Sequence, residues 1–222
     1  MGTDPVRVER ADVVRIIRLD GATNLFDEAF VASFHGALDE IEAEGTGQAV
    51  VTTGAGKYFS NGFDLDYFAR LDLDGIGDFV DRSCRLLARI LTFPAPTVAV
   101  VNGHAFGIGG ILALAHDQRT MRTDRGWFCL PEIDLGLAFH PFMLALITAR
   151  LPAETANEAI LTGRRYDGSA ALERGIVHAI AAEDGLLASA IALADAWTGK
   201  RPGTVGALKA QLHAGVVATL DG

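Results

Sequence analysis

One stretch of the chain, residues 97–115, combines a short β-branched run, a turn and a glycine-rich segment that leads into an apolar helix. Residues 97–101 (TVAVV) predict a buried strand, which the turn signal Asn102-Gly103 ends. Gly107, Gly109 and Gly110 then precede the apolar run ILALA. Glycine lets another backbone or a ligand approach closely, and the first N–H groups of a helix have no partner within it. The stretch therefore predicts a helix whose start either packs tightly or binds a ligand.

A second stretch has the same pattern, in which glycines follow a predicted strand. Residues 49–53 (AVVTT) predict another buried strand, and they run into GAGKYFSNGFDL at 54–65. Two strand-to-glycine turns that open toward helices can aim two backbone N–H groups at one point, which is the geometry of an oxyanion hole. The glycine spacing does not match the GxGxxG fingerprint of dinucleotide-binding folds. Tight packing of helix on sheet is the alternative reason for these glycines.

The composition fits one folded domain with a large core, because half of the 222 residues are hydrophobic. The net charge of −9 and the lack of a basic run argue against a nucleic-acid partner. Cys84 and Cys129 fit neither a disulfide framework nor a metal site, so both are interpreted as buried apolar residues and no metal is predicted. There is no signal-peptide core and no apolar run of about 20 residues, so we expect a cytoplasmic protein without a membrane partner.

The rest of the chain alternates between strand and helix patterns. Residues 6–9 and 13–19 predict an antiparallel pair, and 117–121 and 176–180 predict two more strands. Helical spacing is found in the segments 27–41, 79–91, 140–151, 152–161, 186–197 and 205–217. Residues 65–78, with alternating Asp and Leu, show no regular period. We interpret them either as a mobile wall of a substrate pocket or as a solvated loop.

Four motifs, in order along the chain, resemble those of the enoyl-CoA hydratase/isomerase (crotonase) superfamily. They are GKYFSNGFDL at 56–65, PAPTVAVVNGHAFGIGG at 94–110 with LALAHDQRTM at 112–121, FCLPEIDLGL at 128–137, and LTGRRYDGSAALERGIV at 161–177. Within the superfamily, the chain looks most similar to monofunctional Δ3,Δ2-enoyl-CoA isomerases. The resemblance implies an α/β fold with a crotonase-type ββα spiral core over residues 1–180. A C-terminal helical region, 181–222, short for the family, is expected to belong to the same structural unit.

The resemblance also implies the residues of an active site. The backbone N–H groups of Phe63 and Ile108 are expected to form an oxyanion hole, and Glu132 is expected to carry protons. From the residues alone, apolar neighbours should desolvate the Glu132 carboxylate and raise its pKa, although a glutamate after a proline is more often a helix-start charge. Position 111 is Ile, where hydratases of the family have a second glutamate that helps to hold water. The resemblance therefore implies isomerisation of a 3-enoyl-CoA to a trans-2-enoyl-CoA in fatty-acid β-oxidation.

Two alternatives to isomerisation stay open. The same scaffold could perform another acyl-CoA reaction, such as 2-enoyl-CoA hydration or thioester hydrolysis. The chain could instead be a non-catalytic acyl-CoA-binding subunit. His140 is interpreted either as a second acid/base or as a residue that starts a helix.

The partner implied by the resemblance is an acyl-CoA thioester, with no cofactor besides the coenzyme A that is part of the substrate. The residues expected to bind it are Lys57, Ser60, Gly62, Asp64, Leu65, Gly107, Ile111, His140 and Phe142. Arg89 is a further candidate for a phosphate contact, and Phe26 and Phe68 are further candidates for an acyl pocket. Proteins of this type assemble, so a homotrimer or a hexamer is expected.

Overall fold

The computed structural model describes residues 4–11, 14–45, 49–195 and 197–220, which form two β-sheets surrounded by helices. The strands are β1 (Val6–Ala11), β2 (Val14–Leu19), β3 (Ala49–Gly54), β4 (Tyr58–Ser60), β5 (Thr97–Val101), β6 (His104–Phe106), β7 (Gln118–Arg122), β8 (Phe128–Cys129) and β9 (Ala179–Ala181). The large sheet has the order β1-β2-β3-β5-β7-β9, and the small sheet has the order β4-β6-β8.

The large sheet begins with the predicted antiparallel pair and continues in parallel. β1 pairs with β2 in antiparallel register, and β2, β3, β5, β7 and β9 then pair in parallel. Every residue of β3 and β5 is buried. This agrees with their mostly apolar and β-branched residues, because central parallel strands are covered on both faces.

The chain passes three times from the large sheet to the small one. β3 is followed by β4, β5 by β6, and β7 by β8, with helical segments after each pair. The helices are α1 (Glu28–Glu44), α2 (Leu65–Phe68), α3 (Leu73–Leu91), α4 (Ile108–Leu114), α5 (Pro141–Arg150), α6 (Ala153–Thr162), α7 (Gly168–Glu173), α8 (Glu183–Asp195), α9 (Pro202–Leu212) and α10 (Ala214–Val217). Short 3₁₀ turns occupy Pro131–Ile133 and Ala218–Leu220. The predicted ββα spiral with helices at its C-terminal end is confirmed.

The prediction of an irregular segment at residues 65–78 is wrong, because most of that segment is helical. Asp64 caps α2, with its side chain accepting hydrogen bonds from Asp66 N and Tyr67 N at 2.9 and 3.0 Å. Asp72 caps α3 and accepts from Gly75 N at 2.8 Å. Aspartates at these positions satisfy N–H groups that have no partner inside the helix. The Asp-Leu alternation therefore comes from two helix starts that follow each other closely.

Two other boundaries differ from the predicted ones. The strand predicted at 176–180 is found at Ala179–Ala181, because Ile176 and Val177 enter the core before the strand begins. The helix predicted at 205–217 consists of α9 and α10, which meet at His213. α8 packs against the large sheet, with Leu186, Ala190 and Ala194 buried against a cluster that includes β5.

The core contains α4 and both cysteines. All residues of α4 are buried, and its glycines lie close to Ser60 and to Phe128. Cys84 and Cys129 are buried free thiols, as predicted. In the described part of the chain, no helix combines the length and the apolarity that a membrane span requires.

Candidate active site

The small sheet brings the three predicted catalytic segments to one edge. β4 pairs with β6 and β6 pairs with β8, in parallel both times, so the carboxyl ends of the three strands lie side by side. Phe63 follows β4, Ile108 follows β6, and Glu132 follows β8. Because β6 is the central strand, Ile108 lies between the other two segments. The edge beyond the carboxyl ends of parallel strands is a common place for ligand sites.

Two glycines bring the turns after β4 and β6 into contact. Gly62 has a φ of +95°, and a Cβ added there would lie 3.2 Å from the carbonyl oxygen of Phe106. A Cβ added at Gly109 would lie 2.5 Å from the carbonyl oxygen of Ser60. Only glycine permits both the positive φ at 62 and the close approach at 109. The backbones that carry Phe63 and Ile108 are therefore held against each other.

The N–H groups of Phe63 and Ile108 have no acceptor among the described residues. Phe26 N donates to Gly62 O, and Asp64 N donates to Phe26 O, at 2.9 and 3.0 Å. The N–H of Phe63 therefore points to the opposite side from Phe26, because N–H directions alternate along an extended chain. Ile108 is the first residue of α4, where an N–H has no partner inside the helix. The two turns thus offer two unused donors.

The Glu132 carboxylate lies beside the turn that carries Ile108. A Cβ added at Gly107 would be 3.2 Å from Glu132 Oε1. Gly107 N donates to Cys129 O at 3.0 Å, which aligns this turn with the segment leading to Glu132. Glu132 Oε2 is buried and has no hydrogen-bond partner among the described residues. Burial raises the pKa of Glu132 to about 7, because desolvation disfavours the charged carboxylate.

Two asparagines that the sequence did not single out as site residues hold the first glycine turn in place. Asn24 Nδ2 donates to the carbonyl oxygens of Tyr58 and Phe59, at 3.1 and 3.0 Å. Asn102 Oδ1 accepts from Gly54 N at 2.9 Å. Asn24 adopts a φ of +50°, a conformation that asparagine tolerates better than most residues. The residue type at position 24 is compatible with this backbone conformation. The sequence does not show that the partners of Asn24 are Tyr58 and Phe59.

The other predicted contact residues fall into two groups. Some face outward near the site: Lys57 is exposed, and Leu65 has 66% of its surface accessible. Others have structural partners. Ser60 Oγ donates to Asn24 O at 2.7 Å, Asp64 caps α2, and Ile111 and Phe142 are fully buried. Among the described residues, no three His, Cys, Asp or Glu side chains cluster as metal ligands would.

Arg89, predicted as a further phosphate contact, is engaged elsewhere. Its guanidinium forms ion pairs with Asp39, at 2.6 Å, and with Glu42. It also donates to His35 O at 3.2 Å. These contacts join α3 to α1. The guanidinium of Arg89 therefore links the two helices.

The aromatic neighbours of Phe63 fix the position of its backbone. Its ring packs against those of Phe26, Phe68 and Phe79, with centroids 6.1, 4.9 and 6.0 Å away. Phe26 and Phe79 are fully buried. The side chain at 63 thus anchors the turn in the core, while its N–H remains available at the edge of the small sheet.

His140 occupies the start of α5. Its Nδ1 accepts from Phe142 N at 3.1 Å, and its Nε2 lies 3.1 Å from Asp81 Oδ1. These are the contacts of a helix cap that also links α5 to α3. The helix-start interpretation accounts for both ring nitrogens without a proton-transfer role.

Replacing His140 separates the two interpretations. We expect His140→Asn to keep turnover within about threefold of the parent, because Asn is also a favourable cap. His140→Ala should lower the free energy of unfolding by about 1 kcal/mol while leaving turnover similar. Urea unfolding and initial rates measure the two effects. A loss of turnover of about a hundredfold in both variants would instead identify His140 as an acid/base.

Comparison with known proteins places the chain among relatives of similar architecture. The sequence model of the enoyl-CoA hydratase/isomerase family matches residues 9–221. Enoyl-CoA delta isomerase 2, a peroxisomal protein of Arabidopsis thaliana, is 31% identical over 202 residues, covering 87% of this chain and 84% of the relative. A carnitinyl-CoA dehydratase of Citrobacter koseri is 36% identical over 161 residues, covering 72% of this chain and 61% of the relative.

A solved structure agrees with these relatives. The crystal structure of a probable enoyl-CoA hydratase from Mycobacterium tuberculosis has a TM-score of 0.90 and 25% identity, covering 98% of this chain and 92% of the other. The predicted resemblance is therefore confirmed in sequence and in fold. Since the family's sequence pattern extends over nearly the whole chain and includes all three segments at the edge of the small sheet, the chain belongs to the enoyl-CoA hydratase/isomerase (crotonase) family.

Proposed function

We propose that the protein isomerises 3-enoyl-CoA thioesters to trans-2-enoyl-CoA thioesters, with Glu132 as the only proton carrier. The observation that carries this proposal is the Glu132 carboxylate, which is partly buried, lacks a hydrogen-bond partner on Oε2 and lies beside the Ile108 turn. A general base works best when its pKa is near the working pH. Burial raises the pKa of Glu132 to about 7, which meets that condition.

The reaction requires one proton to move between two carbons. Glu132 removes a proton from C2 of the 3-enoyl group, and the electrons spread into the thioester carbonyl and the adjoining double bond. The N–H groups of Phe63 and Ile108 would donate to the negative thioester oxygen. Glu132, now protonated, returns the proton to C4, and the double bond becomes C2=C3. The product has the same atoms as the substrate, and no separate cofactor is needed.

The residue at position 111 favours isomerisation over hydration. Hydration needs an ordered water, and the hydratases that this chain resembles hold it with a second glutamate at this position. Ile111 is fully buried and offers no hydrogen bond. Burial is the cause that raises the pKa of Glu132, and no charged neighbour in the described part of the chain contributes to the rise. A second carboxylate close by would have added to it.

The test supplies the purified protein with cis- or trans-3-enoyl-CoA and follows the absorbance of the conjugated product. Parallel reactions with 2-enoyl-CoA measure 3-hydroxyacyl-CoA, the product of hydration, and free thiol, the product of hydrolysis. We expect conjugation at a rate at least about a hundredfold above either of the other reactions. Faster hydration of 2-enoyl-CoA than conjugation of 3-enoyl-CoA would reject the proposed reaction.

Hydration or dehydration is the second candidate, because one relative is a carnitinyl-CoA dehydratase. The 3-hydroxyacyl-CoA measurement detects it directly. A non-catalytic acyl-CoA binder is less compatible with the site. A buried carboxylate without a partner lowers stability, and a protein that only binds would gain nothing from it. Calorimetric binding of acyl-CoA with no turnover of any tested thioester would favour that role.

The pH dependence of turnover follows from the pKa of Glu132. Catalysis needs the carboxylate form, so kcat/KM should rise with pH and level off above about 7. An unshifted glutamate would already be ionised at pH 6, and the rate would then be flat between pH 6 and 8. Initial rates at constant ionic strength across pH 5 to 9 distinguish the two profiles. A flat profile would contradict the burial of the base.

Contacts to the coenzyme A part of the substrate are also proposed. Lys57 is exposed at the first glycine turn, and its ammonium group lies 5.5 Å from the centre of the Tyr58 ring. A cation at this position would suit a phosphate group of coenzyme A. Assembly as a homotrimer or hexamer stays a prediction, which light scattering of the purified protein tests.

A further inference from the structure

A cavity of about 610 Å³ lies at the opposite edge of the large sheet from the candidate active site. Pro96, Asp117 and His178 line it, and these residues precede β5, β7 and β9. The cavity is therefore at the amino ends of the parallel strands, whereas the turns with Phe63 and Ile108 lie beyond carboxyl ends. α9 closes its other side. Its size is within the range of small-molecule sites.

The floor of the cavity is cationic. Arg119 and Arg150 both donate to the carbonyl oxygen of His116, at 3.3 and 2.7 Å, so the two guanidinium groups lie next to each other. Lys209 adds a third cation, which is buried, and Lys200 adds an exposed one. Asp117 is the only carboxylate among the lining residues, and its Oδ2 lies 2.6 Å from Lys209 Nζ. This concentration of positive charge contrasts with a net charge of −9 for the chain.

The two guanidinium groups lack a carboxylate partner in the described residues. Arg119 is only 2% exposed, and its guanidinium donates to the carbonyl oxygens of Ile176 and His116. Arg150 likewise donates to carbonyl oxygens alone. Buried charges are normally paired with an opposite charge. Desolvation and the neighbouring Arg150 lower the pKa of Arg119 to about 9, and the nearby Asp117 carboxylate offsets only part of this effect.

His213 adds an unused hydrogen-bonding group to the same cavity. Its side chain is only 5% exposed, and its ring nitrogens have no hydrogen-bond partner among the described residues. These nitrogens are therefore available to a ligand in the cavity. An anion next to Arg119 and Arg150 would supply a partner.

The wall of the cavity is apolar. It consists of Trp197 and of Val205, Leu208 and Leu212 on α9. Leu208 and Leu212 are 60% and 75% exposed, so they offer apolar surface that none of the described residues covers. A small inorganic anion would contact only the cationic floor. A ligand with both an anionic group and an apolar tail would use the floor and the wall together.

We propose that this cavity binds organic carboxylates with an apolar tail, the class that includes medium-chain fatty acids. The carboxylate is held by Arg119, Arg150 and His213, and the tail lies along α9 beside Trp197. This site is separate from the candidate active site and does not depend on the reaction proposed for it.

Fluorescence of Trp197 tests the proposal with octanoate, octanol and inorganic phosphate as probes. Octanoate is expected to change the emission saturably, and octanol and phosphate should bind at least about tenfold more weakly, because each lacks one of the two features. Trp197→Phe should remove the signal, whereas Trp127→Phe should keep it. Calorimetry with the Trp197→Phe variant checks that octanoate still binds.

Two substitutions and a matched control locate the anionic end. Lys200→Ala and His213→Gln should each weaken octanoate binding by several fold, and Arg201→Ala, an exposed neighbour outside the cavity lining, should not. Thermal unfolding confirms that each variant is folded. Equal affinity for octanoate and octanol, equal affinity for octanoate and phosphate, or no effect of both substitutions would overturn the proposal.

Discussion

Replacing Glu132 by glutamine is expected to reduce the rate of 3-enoyl-CoA isomerisation by about 10²- to 10⁴-fold, the range typical of a lost general acid/base. Gln has nearly the same shape but cannot take a proton from C2. The substrate should still bind, because the N–H groups of Phe63 and Ile108 are unchanged. The loss should therefore appear in kcat rather than in KM, as measured by initial rates over a range of substrate concentration.

The stability of the same variant distinguishes lost chemistry from lost folding. Glu132 has a pKa of about 7 in the folded protein, against an ordinary value of 4.5 for a glutamate. A carboxyl group with a raised folded-state pKa stabilises the fold below the unfolded pKa, and that contribution is lost as pH rises through the folded pKa. The parent therefore loses stability as the pH rises from about 4.5 to 7, and Glu132→Gln does not. The difference in thermal stability between variant and parent should grow across this range.

A matched control uses a glutamate near another proline. Glu154 lies in the first turn of α6, two residues after Pro152, and is exposed. Glu154→Gln makes the same chemical change and should leave the isomerisation rate as it is. If Glu132→Gln keeps a tenth or more of the parent rate, another group must carry the proton.

Gly109→Ala is expected to have the second largest effect, through the backbone. A Cβ at this position would lie 2.5 Å from Ser60 O and 2.7 Å from Ser60 Oγ, so α4 or the turn after β4 must move. Such overpacking costs about 1–3 kcal/mol of stability. Displacing Ile108 N–H relative to Phe63 N–H should also reduce kcat by about 10²- to 10³-fold, as removal of an oxyanion donor does.

Gly36→Ala serves as the control for Gly109→Ala. Gly36 lies within α1, and nothing is within 4 Å of a Cβ added there. This change should raise the free energy of unfolding by about 0.5–1 kcal/mol and leave kcat unchanged. Urea unfolding and initial rates measure both variants. A Gly109→Ala variant with kcat within threefold of the parent would show that the contact between the two turns does not align the donors.

The strands and turns of the spiral could be predicted because their signals are local, whereas the spiral itself was implied by the resemblance of the four motifs. The apolar runs of β3 and β5, the glycines after them and the Pro131-Glu132 pair can each be read within a few residues. The helical nature of residues 65–78 was missed because Asp64 and Asp72 act as caps, and a capping aspartate looks like a loop residue when its N–H partners are unknown.

Features that join distant parts of the chain could not be predicted. Asn24 supports the backbone of Tyr58 and Phe59, residues 34 and 35 positions later. The cationic floor combines Arg119 and Arg150 with Lys209 from the C-terminal helices, and it exists only when α9 has packed against the sheet. Spacing along the sequence carries no information about such contacts, because they depend on how the helices pack.

The parallel strands of the small sheet have a consequence for how this site can diverge. Two of its three proposed groups belong to the main chain, so the side chains at 63 and 108 serve the reaction only through their packing, and another apolar residue of similar size would keep the turns in place. Selection can then reshape the surroundings of the substrate without altering the chemistry. Enzymes built this way should tolerate exchanges among apolar residues at two of the positions on which their reaction depends.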